Sequence, residues 1–104
     1  MLRVKKRNGN IVAFDIKKIE DAIEAAFIDV KKEYSKDIIE LLALRVTSNF
    51  MPKTKDGIIT IEDIQDSVEV VLIQASYDDV AKSYILYRKQ HENIRDNYRV
   101  HESH

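Results

Sequence analysis

Three residues punctuate this chain: Gly9, Gly57 and Pro52, its only glycines and its only proline. Glycine permits positive φ and proline removes a backbone donor, so both interrupt regular structure. With so few interruptions, hydrophobic spacing decides where helices run. After Asp15, an N-cap residue type, Ile16, Ile19, Ala22, Ile23, Ala26, Phe27 and Val30 keep the 3–4 spacing of one helix face. They predict a first helix over about 16–31. Ser35 caps a second, whose Ile38, Ile39, Leu41, Leu42, Leu44, Val46 and Phe50 form a wide apolar surface. Met51-Pro52 ends it, because the residue before proline avoids the α region.

The stretch PKTKDG then reads as a loop and Ile58-Ile59-Thr60 as a short strand. Thr60 with Asp63 is a helix start signal close to a capping box. Ile61, Ile64, Val68, Val71, Leu72 and Ala75 share one face of a third helix. Tyr77-Asp78-Asp79 opens a fourth, with Val80, Ala81, Tyr84, Ile85, Tyr87, His91 and Ile94 on its apolar-aromatic face.

Before the first helix, Leu2–Lys6 and Ile11–Phe14 are extended segments around Asn8-Gly9. Asn-Gly is a strong hairpin signal, since both residues tolerate the positive φ of a type I′ turn. A two-residue loop would pair Arg7 with Asn10 and Lys5 with Val12, which sets lysine and valine on one face. A bulge is the alternative, and the register stays open. The expected architecture is α+β: a four-helix bundle capped by a two- or three-stranded β-sheet lid. It occupies residues 1–96, with a polar tail over 97–104.

There are no cysteines, which excludes disulfides, thiolate zinc sites and cysteine radical chemistry. No apolar run reaches the roughly 18 residues of a membrane span, and MLRVKKRNGN lacks the apolar centre of a signal peptide. A cytoplasmic protein with no membrane partner is expected. Net charge is −1, but it is unevenly spread. Residues 1–18 carry six Lys/Arg against the single acid Asp15, and residues 56–79 carry seven acids and no Lys or Arg. A basic end can meet an anion while the whole stays near neutral. The near-neutral total and the acidic stretch argue against a nucleic-acid partner.

Lys5-Lys6-Arg7-Asn8-Gly9 joins cations to a tight turn whose backbone N–H groups a ligand can approach. Lysine and arginine there can neutralise phosphate oxygens. A solvated charged hairpin fits the same residues. Asp15 and Lys18 lie at a helix start, a favourable anion site, and Phe14 and Ile19 can wall a planar ring or simply fill core. Tyr84, Tyr87, Arg88 and His91 recur on one face of the fourth helix. Gln65 and Glu69, with Asp66 between them, read as solvent face. No Ser-His-Asp set, metal spacing, GxxxxGK[ST] or GxGxxG is present, so catalysis finds no support.

In order, VKKRNGNIVAFDIKKI, ITIEDIQDSVEVVL and VAKSYILYRKQHE resemble the ATP-cone, a regulatory nucleotide-binding domain of ribonucleotide reductases. The resemblance covers about residues 3–95 and implies ATP or dATP bound between lid and helices, with Mg2+ accompanying the nucleotide. It implies phosphate contacts from Lys6 and Arg7 beside Asn8 and Gly9, help from Lys18, and sugar or base contact at Asp15, with Phe14 and Ile19 alongside. Gln65 and Arg88 are further nucleotide-site candidates. It implies allosteric control without catalysis, a reductase catalytic domain or subunit as partner, and a homo-oligomer. The YILYRKQHE ending looks most like the anaerobic reductases. The alternative is a free-standing cone linked to transcriptional control of reductase genes, though the absent cysteines exclude the full zinc-ribbon repressor.

Overall fold

The hairpin turns where Asn8-Gly9 predicts, but by different geometry. In the computed structural model, which describes the backbone of residues 1–102 and side chains through His91, strand β1 is Arg3–Lys5 and β2 is Ile11–Ala13. Gly9 N–H donates to Lys6 C=O at 2.9 Å, and Lys6 N–H donates to Asn10 C=O at 2.8 Å. Gly9 has φ +90°, while Asn8 is not among the positive-φ residues. The loop is therefore a three-residue turn closed by a glycine bulge, not the two-residue type I′ turn. Register shifts accordingly: Val4 faces Val12 and Lys5 faces Ile11. The shift matters because one residue of slip exchanges the two faces of a strand. Val4 and Val12 now share the inner face, and Lys5 is exposed.

The type I′ geometry occurs instead at Asp56-Gly57, inside the segment that reads as loop. Both residues have positive φ, +55° and +74°, and Lys55 and Ile58 exchange backbone bonds of 2.9 Å. This turn follows a short 3-10 helix, Met51–Lys53, and feeds β3, Ile58–Thr60. The sheet order is β2-β1-β3, with β1 antiparallel to β2 and parallel to β3.

Four helices carry the sheet: α1 Ile16–Asp29, α2 Lys36–Phe50, α3 Ile61–Gln74 and α4 Asp78–Glu102. Asp15, Ser35 and Thr60 cap the first three, each side chain accepting a first-turn backbone N–H. This satisfies donors that a helix start leaves without partners. α1 and α3 end alike. Lys32 N–H reaches Phe27 C=O and Tyr77 N–H reaches Leu72 C=O, with Lys31 and Ser76 at positive φ between. These are Schellman ends built on non-glycine residues.

α3 packs on α2 and α4, and α1 packs on the same two helices. Ile23, Phe27, Val46, Phe50, Val71 and Leu72 fill the centre, while Val4 and Ile59 close it from the sheet. The α+β class expected from sequence is the one observed. The division at residues 96 and 97 falls inside α4. The side chains of Ile94 and of the polar tail lie outside what the structure describes.

Candidate functional site

A cleft of about 250 Å³ opens beneath the hairpin. Three helices and the lid contribute. Because Lys6 continues the inner-face alternation of Val4, it lines the cleft together with Arg7, whereas Lys5 does not. Asp15 and Lys18, at the start of α1, form one side, and Ile19 lies below them. α3 presents Ile61, Ile64, Gln65 and Val68, and α4 presents Tyr84, Tyr87, Arg88 and His91. The walls are thus largely apolar with a few convergent polar groups, the usual make-up of a small-ligand site.

Both arginines are held in place. Arg7 Nη2 donates to Gln65 Oε1 at 3.1 Å, and its Nε lies 3.9 Å from Glu62 Oε1. This contact spans 58 residues of sequence and ties the hairpin to α3. Arg88 Nη1 donates to Asp66 Oδ1 at 2.8 Å and also to Glu69 Oε2. Burial works against the charge of Arg88, but the bonds to Asp66 and Glu69 outweigh it and raise the guanidinium above its ordinary value. Burial likewise raises the Tyr84 phenol, opposed by Arg88 and assisted by Glu69. At the mouth, the rings of Tyr87 and His91 stand 4.2 Å apart, centre to centre.

Eight of the sequence candidates therefore line one cleft: Lys6, Arg7, Phe14, Asp15, Lys18, Ile19, Gln65 and Arg88. Two do not. Asn8 and Gly9 are exposed at the loop tip, where Asn8 Oδ1 accepts the Asn10 N–H at 3.0 Å. Phe14 and Ile19 serve the core as well. Phe14 meets Phe50 edge-on at 5.6 Å, and Ile19 is buried. Asp15 both caps α1, through Lys17 N–H at 3.0 Å, and lines the cleft.

The solvent-face reading of Gln65 and Glu69 is corrected: Gln65 bonds Arg7, while Glu69 and Asp66 bond Arg88. The missed signal was the polar stripe Glu62, Gln65, Asp66 and Glu69, recurring at helical spacing beside the apolar one. Among the described residues no group of three or more His, Asp or Glu is placed to hold a metal ion, and no helix is long and apolar enough to cross a membrane.

A family model described as "ATP cone domain" matches residues 2–93. The chain belongs to the ATP-cone family. Among curated proteins it is similar to a vitamin B12-dependent ribonucleoside-diphosphate reductase of Thermoplasma acidophilum, 42% identical over 98 residues. It is also similar to the ribonucleoside-diphosphate reductase alpha subunit of Chlamydia pneumoniae, 37% identical over 103 residues. A vitamin B12-dependent reductase of Mycobacterium tuberculosis is 38% identical over 93 residues. These alignments cover 89%, 90% and 89% of this chain but only 12%, 10% and 13% of the relatives. The cone thus corresponds to about a tenth of each longer protein.

Proposed function

We propose that the cleft binds ATP and dATP as allosteric ligands and that this cone is a non-catalytic module setting the overall activity of a ribonucleotide reductase. The observation that carries this reading is the convergence of Lys6, Arg7, Lys18 and Arg88 on one largely apolar cleft in a chain of the ATP-cone family. Lys6 and Arg7 meet the phosphates from the lid, with Lys18 beside them at the start of α1. Phe14 and Ile19 wall the base, and Asp15 takes a polar group of the sugar or base. Gln65 presents Arg7, and Arg88, its charge matched by Asp66 and Glu69, lines the cleft from α4. Asn8 and Gly9 act by shaping the loop that carries Arg7. Because Arg7 is already fastened to Gln65, less side-chain freedom is lost when a ligand arrives.

The described side chains offer no three-residue metal site. Magnesium therefore enters on the nucleotide, held chiefly by phosphate oxygens, as its preference for phosphate and water allows. The partner is the catalytic region of a reductase, the kind of protein the relatives are named for, in the cytoplasm. The cone shifts the assembly state of that enzyme. ATP and dATP differ by one hydroxyl, so they switch the assembly only by favouring its two states unequally.

Calorimetry with magnesium and either nucleotide tests the reading. Micromolar or tighter binding is expected for the unaltered chain, weakened at least tenfold in a Lys6→Ala/Arg7→Ala variant. No heat with either nucleotide overturns it.

A further inference from the structure

Tyr84 sits on α4 in the wall of the cleft and is only 6% exposed. Its hydroxyl forms no hydrogen bond among the described residues, and the influences on its proton are burial and the charges of Arg88, Glu69 and Asp66, with neighbouring Tyr87. Two of those neighbours, Arg88 and Tyr87, line the cleft together with Tyr84. Packing alone does not call for this oxygen. Among the described residues the buried polar atoms without a partner are Glu62 Oε2 and Ser67 Oγ, not the Tyr84 oxygen. It stays open to solvent on an otherwise buried side chain, where a ligand group can reach it.

The surroundings limit what the hydroxyl can take. Arg88 is matched by two carboxylates, Asp66 and Glu69, so this end of the cleft has no spare positive charge for a phosphate from those three groups. The lid end carries Lys6, Arg7 and Lys18. The cleft is therefore polarised, cationic under the hairpin and neutral to acidic beside Tyr84.

We propose that the Tyr84 hydroxyl is a ligand contact reserved for an uncharged hydrogen-bonding group of the nucleotide, a sugar hydroxyl or a polar edge of the base, and that it sets which nucleoside triphosphate the cleft prefers. This rests on the nucleotide reading of the cleft. A site that bonds such a group discriminates strongly against analogues lacking it, because its own polar atom is then left without a partner.

The test is a titration of the unaltered chain and of Tyr84→Phe with ATP, dATP and inorganic tripolyphosphate, alongside thermal unfolding. Tyr84→Phe is expected to weaken ATP by roughly 5- to 10-fold, to leave tripolyphosphate unchanged and to unfold no earlier than the unaltered chain. A loss confined to ATP assigns the contact to the 2′-hydroxyl, and a loss shared with dATP assigns it to the base or the 3′-hydroxyl. Unchanged ATP and dATP affinity in the variant overturns the Tyr84 contact while leaving the nucleotide reading intact. Equal weakening of tripolyphosphate also overturns it. An unaltered chain that binds neither nucleotide overturns both.

Discussion

Arg7, at the tip of the hairpin, donates to Gln65 Oε1 on α3 across 3.1 Å. With the Arg7–Glu62 contact and the pairing of β1 with β3, this bond joins the most basic part of the chain to its acidic segment. It also fastens the turn end of the lid, beyond the three short strands of the sheet. A charge-assisted hydrogen bond of this kind contributes about 1–2 kcal/mol. Gln65→Ala is expected to raise hydrogen exchange at Lys6, Gly9 and Asn10 and to lower the unfolding midpoint by a few degrees. In a double-mutant cycle, Arg7→Ala and Gln65→Ala should be less than additive. Strict additivity would show that the bond does not hold the lid.

Arg88 is bonded to Asp66 and to Glu69 at once. Replacing it with methionine leaves two carboxylates facing each other without their cation. A loss of about 1–2 kcal/mol is expected at neutral pH, moderated because Asp66 is half exposed. The loss should shrink in acid, where protonation removes the uncompensated charge. The raised arginine itself adds no pH dependence in this range. Its contribution is fully present below the unfolded-state value and is lost only as pH climbs through the folded one. Urea unfolding of both chains at neutral and acid pH measures the difference.

Ser67 is 1% exposed and its Oγ has no hydrogen-bond partner among the described residues. A buried hydroxyl left this way costs roughly 1–3 kcal/mol. Ser67→Ala also raises helix propensity within α3. The variant should be more stable by about 1 kcal/mol, seen as an unfolding midpoint several degrees higher. A lower midpoint would mean that the hydroxyl is satisfied in solution.

Backbone conformation separates two substitutions of opposite sign. Ser76 ends α3 at φ +65°, a conformation glycine adopts without the Cβ penalty. Ser76→Gly should therefore stabilise by about 0.5–1 kcal/mol. Gly57 has φ +74°, and a Cβ there would stand 3.3 Å from Met1 C=O. Gly57→Ala should cost about 1–2 kcal/mol and loosen the pairing of β1 with β3. Thermal unfolding of the two variants tests both signs.

How much of this was legible depended on range. The helices were, because caps and 3–4 spacing are local: Asp15, Ser35 and Thr60 each cap the helix that sequence assigns to them. The lid residues were legible as well, since Lys6 and Arg7 stand beside a turn signal. Register was not, because Asn-Gly serves both a two-residue turn and a glycine bulge, and only packing of Val4 against the core chooses between them. The polar partners of the arginines were hidden for a different reason. Gln65 and Arg7 are 58 residues apart, and Asp66 and Arg88 are 22 apart. The stripe Glu62, Gln65, Asp66 and Glu69 marks a polar helix face, but its cationic partners lie on other elements, so the segment alone does not say that the face turns toward a cleft.

Tyr84 should leave a signature in alkali. Burial raises its phenol above the ordinary 10.0, with Arg88 opposing and Glu69 assisting. The unfolded chain therefore releases this proton at lower pH than the folded one. The associated stability is complete below about pH 10 and is lost as pH rises from there toward the folded value. Each pH unit in that window removes up to about 1.4 kcal/mol per such group. Tyr84→Phe removes the group, so its unfolding free energy should fall less steeply above pH 10 than that of the unaltered chain. Every other group is common to the two proteins, so the difference between the two slopes isolates Tyr84. Parallel slopes would show that the phenol is as solvated in the folded state as in the unfolded one.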